Sequence, residues 1–218
     1  MRRHKKTMFI KQKQRGFSLI EVAIAIVVIG LITSFAMKGK ELIHTARLRS
    51  VVDQVNMIHV AVQTFVDKYG ALPGDAQNAQ QILGEGVENG RGDGKIQSEA
   101  DAKRFWSHLN ASELVNLNLI NGYPTSKLGG YYSVSTQAIA GGGVWVVFCR
   151  GGTNNENFSG ILSPEDAYFI DKNSDTGNPN TGDIRTIKGH GASGDVIENQ
   201  SYKFTNKNED CVLLFRVW

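Results

Sequence analysis

The residues able to do acid–base, nucleophilic or metal chemistry are few and mostly far apart. Five histidines (His4, His44, His59, His108, His190) are scattered, with no His-Glu-x-x-His and no Cys-x-x-Cys to bring two ligands together. Gly191-Ala192-Ser193-Gly194 lacks the spacing of a nucleophile elbow. Gly141-Gly142-Gly143 has no helix behind it and reads as a hairpin turn, not a phosphate cradle. Two stretches do carry oxygen atoms at alternate positions. Asn89, Arg91, Asp93, Gly94 and Ile96 fall at the offsets of half a calcium loop, although Arg91 takes a ligand position and Glu99 falls one place short of the usual bidentate acid. A glycine-rich turn closed by Asp93 accounts for the same residues. Arg91-Gly92-Asp93 also spells a host-adhesion tripeptide, short enough to arise by coincidence. Asp171, Asn173 and Asp175 alternate in a polar segment behind a short capped helix, where turn chemistry competes with a cation site. Calcium is therefore the one cofactor with candidate ligands, and no catalytic residue emerges. The remaining ionisable group of interest is Glu21, which stands alone in the apolar run from Phe17 to Met37.

That run has 21 residues, lies between Gly16 and Lys38, and is long enough to cross a bilayer as a helix. Seven of the 24 Lys/Arg fall within residues 1–16, where there is no acid. The positive-inside bias then keeps residues 1–16 in the cytoplasm and sends the rest outward. The rest is acidic by about four charges, so the overall +3 and the pI near 8.8 come from the head. A nucleic-acid partner held by phosphate neutralisation loses its main support. A cleaved secretory signal would have a shorter apolar run and an early small-residue site. The nearest candidate, Ser34-Phe35-Ala36, comes late and has Phe in the middle. An inert anchor would not carry Glu21, because a carboxylate among lipid chains is costly and marks function by default.

The string Lys13-Gln14-Arg15-Gly16-Phe17-Ser18-Leu19-Ile20-Glu21-Val22 resembles the processing site of type IV pilins and type II secretion pseudopilins. The resemblance implies that a prepilin peptidase cuts between Gly16 and Phe17 and N-methylates Phe17. It also implies that Glu21 is the family's assembly glutamate, which neutralises the N-terminal ammonium of a neighbouring subunit once the apolar helices bundle. A buried charge without its partner is strongly unfavourable, and a paired one sets register. The implied partners are the peptidase, other pilin or pseudopilin subunits, an inner-membrane assembly platform and the lipid bilayer. The implied location is the bacterial inner membrane, single-pass, with a periplasmic C-terminal domain and a filament after assembly. Lys38 stands near where many type IVa pilins have a kinking proline, and the leader is long at sixteen residues; starting at Met8 it would be nine.

The expected organisation is a leader at 1–16, a transmembrane half-helix at 17–37, an amphipathic half at 38–69 and a globular domain at 70–218. Leu48, Val51, Val55, Ile58, Val62, Phe65 and Tyr69 repeat at alternating spacings of three and four, which is one buried stripe. A helix from Phe17 to Tyr69 would be about 80 Å long. The stripe fits an independent coiled coil, and the resemblance favours packing on the chain's own sheet. Tyr69–Ala79, with its Pro73-Gly74-Asp75, and the following GRGDGKI resemble a pilin-like subset. Ser98-Glu99-Ala100-Asp101 has the pattern of a capping box before a helix with Phe105, Trp106 and Leu109 on one face. Strands are expected at Tyr131–Ile139, Val144–Arg150, Ile184–Lys188, Tyr202–Thr205 and Cys211–Trp218, giving an α+β pilin fold. Cys149 and Cys211, an even pair in an exported chain, are expected to form a disulfide worth roughly 4 kcal/mol. A membrane-tethered, non-polymerising ligand-binding domain is the alternative from a different class.

Overall fold

The computed structural model describes residues 16–138, 142–151 and 157–218. The leader residues 1–15, and with them both candidate starts, lie outside the described residues, as do Ile139 and Gly141. The chain divides into two units, Met1–Ile43 and His44–Trp218.

One helix, α1 (Leu19–Tyr69), runs through both units without a break at Lys38. Within the first unit, the stretch from Val22 to Met37 carries no charged side chain and is apolar on every side. The best 18-residue window has a mean hydropathy of 2.5, with none of it buried. Thr33 and Ser34 donate their hydroxyls back to the carbonyls of Ile29 and Gly30, so the apolar stretch carries no unpaired hydroxyl there.

In the second unit the helix is amphipathic, and the spacing of its apolar residues sets what it buries. Leu48, Val51, Val55, Ile58, Val62 and Phe65 are buried, joined by Ala61, and Tyr69 is half-buried. Each large side chain contributes about 1.5–3 kcal/mol by leaving water. The stripe packs into the domain's own core and not on a separate coil. Gly70, at φ +68°, ends the helix and accepts the left-handed turn that a side chain would resist.

The domain continues with α2 (Ala79–Leu83), α3 (Glu99–Ala111), β1 (Leu119–Ile120), β2 (Tyr123–Pro124), β3 (Tyr131–Ser135), β4 (Trp145–Cys149), α4 (Pro164–Ser174), β5 (Ile184–Lys188), β6 (Ile197–Glu198), β7 (Ser201–Tyr202) and β8 (Cys211–Arg216). The main sheet has the order β3-β4-β8-β5, with every neighbour antiparallel, and two short hairpins, β1-β2 and β6-β7, stand apart. One face of the sheet joins the large core through Tyr132, Val134, Val146, Phe148, Leu213 and Phe215, together with the α1 stripe and with Phe105, Trp106 and Leu109 of α3. The other face carries a smaller cluster that includes Trp145, Val147, Val212 and Leu214.

Several boundaries differ from the sequence reading, and among them β3 stops at Ser135, short of its expected end. The expected strand Tyr202–Thr205 is the short β7, paired only with β6. The helix after Ser163 is longer than its polar composition suggests. Ser163 caps it by accepting the Asp166 amide (3.2 Å) with Pro164 in its first turn, and it runs on to Ser174.

Candidate functional site

The backbone at Gly16, Phe17 and Ser18 is non-helical, and the Phe17 ring is 80% exposed. The Gly16–Phe17 peptide bond is thus outside the helix. Ser18 is the cap. Its carbonyl accepts the amides of Glu21 (3.1 Å) and Val22 (3.2 Å), and its own amide donates to Glu21 Oε2 (3.4 Å). Glu21 is the third helical residue, so this is the carboxylate half of a capping box. The carboxylate also sits where the helix dipole favours a negative charge. The carboxylate is thus folded back toward the start of the helix, one turn from Phe17.

Glycine and aspartate in Pro73-Gly74-Asp75 do a different job. At Gly74 (φ +79°) a Cβ would lie 2.8 Å from the Phe105 backbone nitrogen, so only glycine lets this loop lie on α3. The Asp75 carboxylate is 6% exposed and accepts the amides of Asp93 (3.0 Å) and Gly94 (2.8 Å). The glycine-rich turn is therefore closed by Asp75 and not by Asp93, whose Oδ1 accepts only the nearby Lys95 amide (3.1 Å). His108 completes the clasp. Its Nδ1 accepts from the Gly74 amide (2.9 Å), and its Nε2–H donates to the Glu88 carbonyl (2.7 Å). Burial pushes the His108 pKa down, which keeps the ring neutral and leaves Nδ1 able to accept the Gly74 amide.

Asp101, the third residue of α3, completes a reciprocal capping box with Ser98. It also accepts from Gln97, Arg91 (2.5 Å) and Arg104 (2.5 Å). Burial alone would raise the Asp101 pKa, but the Ser98 and Gln97 amides, the Ser98 hydroxyl and Arg91 outweigh it and hold the carboxyl below its usual range. Arg91 pairs with Asp93 as well (3.6 Å), so both charges of the Arg-Gly-Asp tripeptide are spent within the fold.

The candidate cation ligands are engaged elsewhere. Asn89 Oδ1 accepts the Gln80 amide (2.8 Å), and Glu99 pairs with Lys103 (2.7 Å). Asp171 lies on α4 and is fully buried. Tyr202 donates to its Oδ2 (2.8 Å) and the Gly177 amide to its Oδ1 (2.9 Å), while burial raises its pKa. Asn173 also lies on α4 and bonds the Phe169 carbonyl (2.6 Å); Asp175 caps the helix end and accepts the Ile184 amide (2.9 Å). Among the described residues, no three His, Cys, Asp or Glu converge to hold a metal. These acids fasten loops, which is why they cluster with turn formers in the sequence.

The expected disulfide is not formed, since Cys149 and Cys211 are both buried free thiols. They sit on neighbouring strands, yet the register Val147↔Leu214 and Phe148↔Leu213 sets Cys149 opposite Val212. Adjacent strand residues point to opposite faces. Cys149 therefore packs with Trp145 and Val147 on one face, and Cys211 with Leu213 on the other. Burial pushes both thiols up to about 12. A one-residue offset in register is enough to prevent the bridge.

The larger hollows of the domain are open at the surface; one beside Trp218 and Asp75 measures about 710 Å³. Residues 11–37 match the model for the prokaryotic N-terminal methylation motif. No curated protein matches the chain. Among solved structures, the major type IV pilin PilA1 from Clostridium difficile is similar at 15% identity, covering 80% of this chain and 96% of that one, with a TM-score of 0.42. At that identity and overlap the likeness says nothing about role. The methylation-motif match covers the head of the long apolar helix, from the basic residues before Gly16 to the end of the apolar run at Met37.

Proposed function

We propose that the chain is a structural subunit made as a precursor, cut by a prepilin peptidase between Gly16 and Phe17 and N-methylated on Phe17. The product is stored in the bacterial inner membrane, with its C-terminal domain in the periplasm. Through an assembly platform it polymerises with its own kind or with related subunits into a type IV pilus or a type II secretion pseudopilus. The observation that carries this reading is Glu21. It is the single ionisable side chain in an otherwise apolar 21-residue run, and its carboxylate is turned toward the cleavage junction. Away from water, in a bundle of apolar helices, an unpaired acid is strongly unfavourable. Pairing with the ammonium of a neighbour removes that cost, which makes the residue a selector for polymerisation and not a catalyst.

The test is Glu21→Val in the native host. Cleavage and membrane insertion persist, since neither uses the carboxylate, while incorporation into filaments is lost. Normal filament yield from this variant contradicts the proposal.

A further inference from the structure

The apolar surface of α1 continues past the length that a bilayer needs. Leu19 to Met37 makes about 28 Å of helix, against a hydrocarbon core of roughly 30 Å. Lys38 and Lys40 follow, both exposed, and then Leu42 and Ile43, 71% and 57% exposed. Lys38 pairs with Glu41 at 3.1 Å, but with 79% and 69% of the two side chains exposed that pair is weak and readily exchanged. In the sequence, residues 38–49 hold four Lys/Arg against the single acid Glu41. Basic residues on this side work against the orientation that the leader imposes. Their presence calls for a reason other than topology.

We infer that Lys38, Lys40, Leu42 and Ile43 form a collar that binds anionic phospholipid headgroups in the leaflet on the globular side. The inference rests on the membrane-anchored reading above. The two ammonium groups take the lipid phosphates, and the apolar pair, about one turn farther from the core, lies in the headgroup layer. The collar also fixes the depth of Glu21. Lys38 lies 17 residues beyond it, about 26 Å along the helix. With Lys38 held at one edge of a core of roughly 30 Å, the carboxylate lies within about one turn of the other edge, where water reaches it. The subunit is thus stored with its charge hydrated, at the level where a newly cut N-terminus lies.

The test uses the full chain in maltoside micelles, titrated with phosphatidylglycerol or phosphatidylcholine, with retained lipids counted by native mass spectrometry. The parent chain retains phosphatidylglycerol preferentially, and Lys38→Gln with Lys40→Gln weakens the preference about fivefold per lysine. Lys5→Gln with Lys6→Gln removes the same charge from the leader and has a smaller effect. Equal effects from the two pairs, or none from the first, overturn the collar. Flotation with phosphatidylcholine vesicles after detergent removal separates the two readings. A chain that fails to float contradicts the membrane anchor itself, whereas one that floats without lipid preference contradicts only the collar.

Discussion

His108 shows how one buried side chain governs the response to acid. Its two ring nitrogens hold the Gly74 amide and the Glu88 carbonyl, and the first of these bonds requires the neutral ring, since only an unprotonated Nδ1 can accept. Burial sets its folded pKa below the ordinary 6.5, so the unfolded chain takes up a proton that the folded chain refuses. The stabilisation is complete above about pH 6.5 and falls as the pH drops below it. The thermal midpoint of the chain in detergent therefore declines on acidification below that value, and His108→Gln flattens the slope in this window. An unchanged slope in the variant contradicts the assignment. At Cys149 and Cys211 the expectation concerns redox state. Protein exported by the cell and denatured without reductant takes up a thiol label at both positions, because the strand parity that separates them also protects them. A chain that labels only after reduction refutes that parity.

Among the elements, α1 carries the most weight. Its second half anchors the domain through one stripe, so Phe65→Ala costs about 3–5 kcal/mol of unfolding free energy, measured by denaturant titration. Met57→Ala, at a residue 56% exposed on the same helix, stays within about 0.5 kcal/mol. Similar losses from both variants would mean that the stripe is not the packed face. This stripe was legible in the sequence because a helix that is buried on one side writes its period directly into the chain. The α3 cap was equally readable, since Ser98 and Asp101 act within one turn. Ile184–Lys188 also matched its strand. Contacts made across the fold were not legible. Asp75 closes a turn 18 residues away, and nothing in the spacing of Pro73-Gly74-Asp75 names its partner. The alternation of Asp171, Asn173 and Asp175 suggested a shared ligand set, but the first two lie on a helix and all three serve separate hydrogen bonds. The cysteine pairing failed for a related reason: strand positions can be read from pattern, and register cannot.

At the scale of the whole molecule the two units divide the work. The domain is held by its own core and by carboxylates committed to loops. The apolar half of α1, by contrast, has no protein cover of its own. Its exposed Ile, Leu, Val and Phe side chains need an apolar environment, such as lipid, to cover them. The central claim is that Gly16–Phe17 is the junction at which a precursor becomes a subunit able to assemble. The most direct test is mass spectrometry of the N-terminal peptide from protein recovered from the native host's membrane. The account predicts a chain that begins at Phe17 and carries one methyl group on its amine. A chain that retains Gly16 and the basic residues before it would contradict the claim.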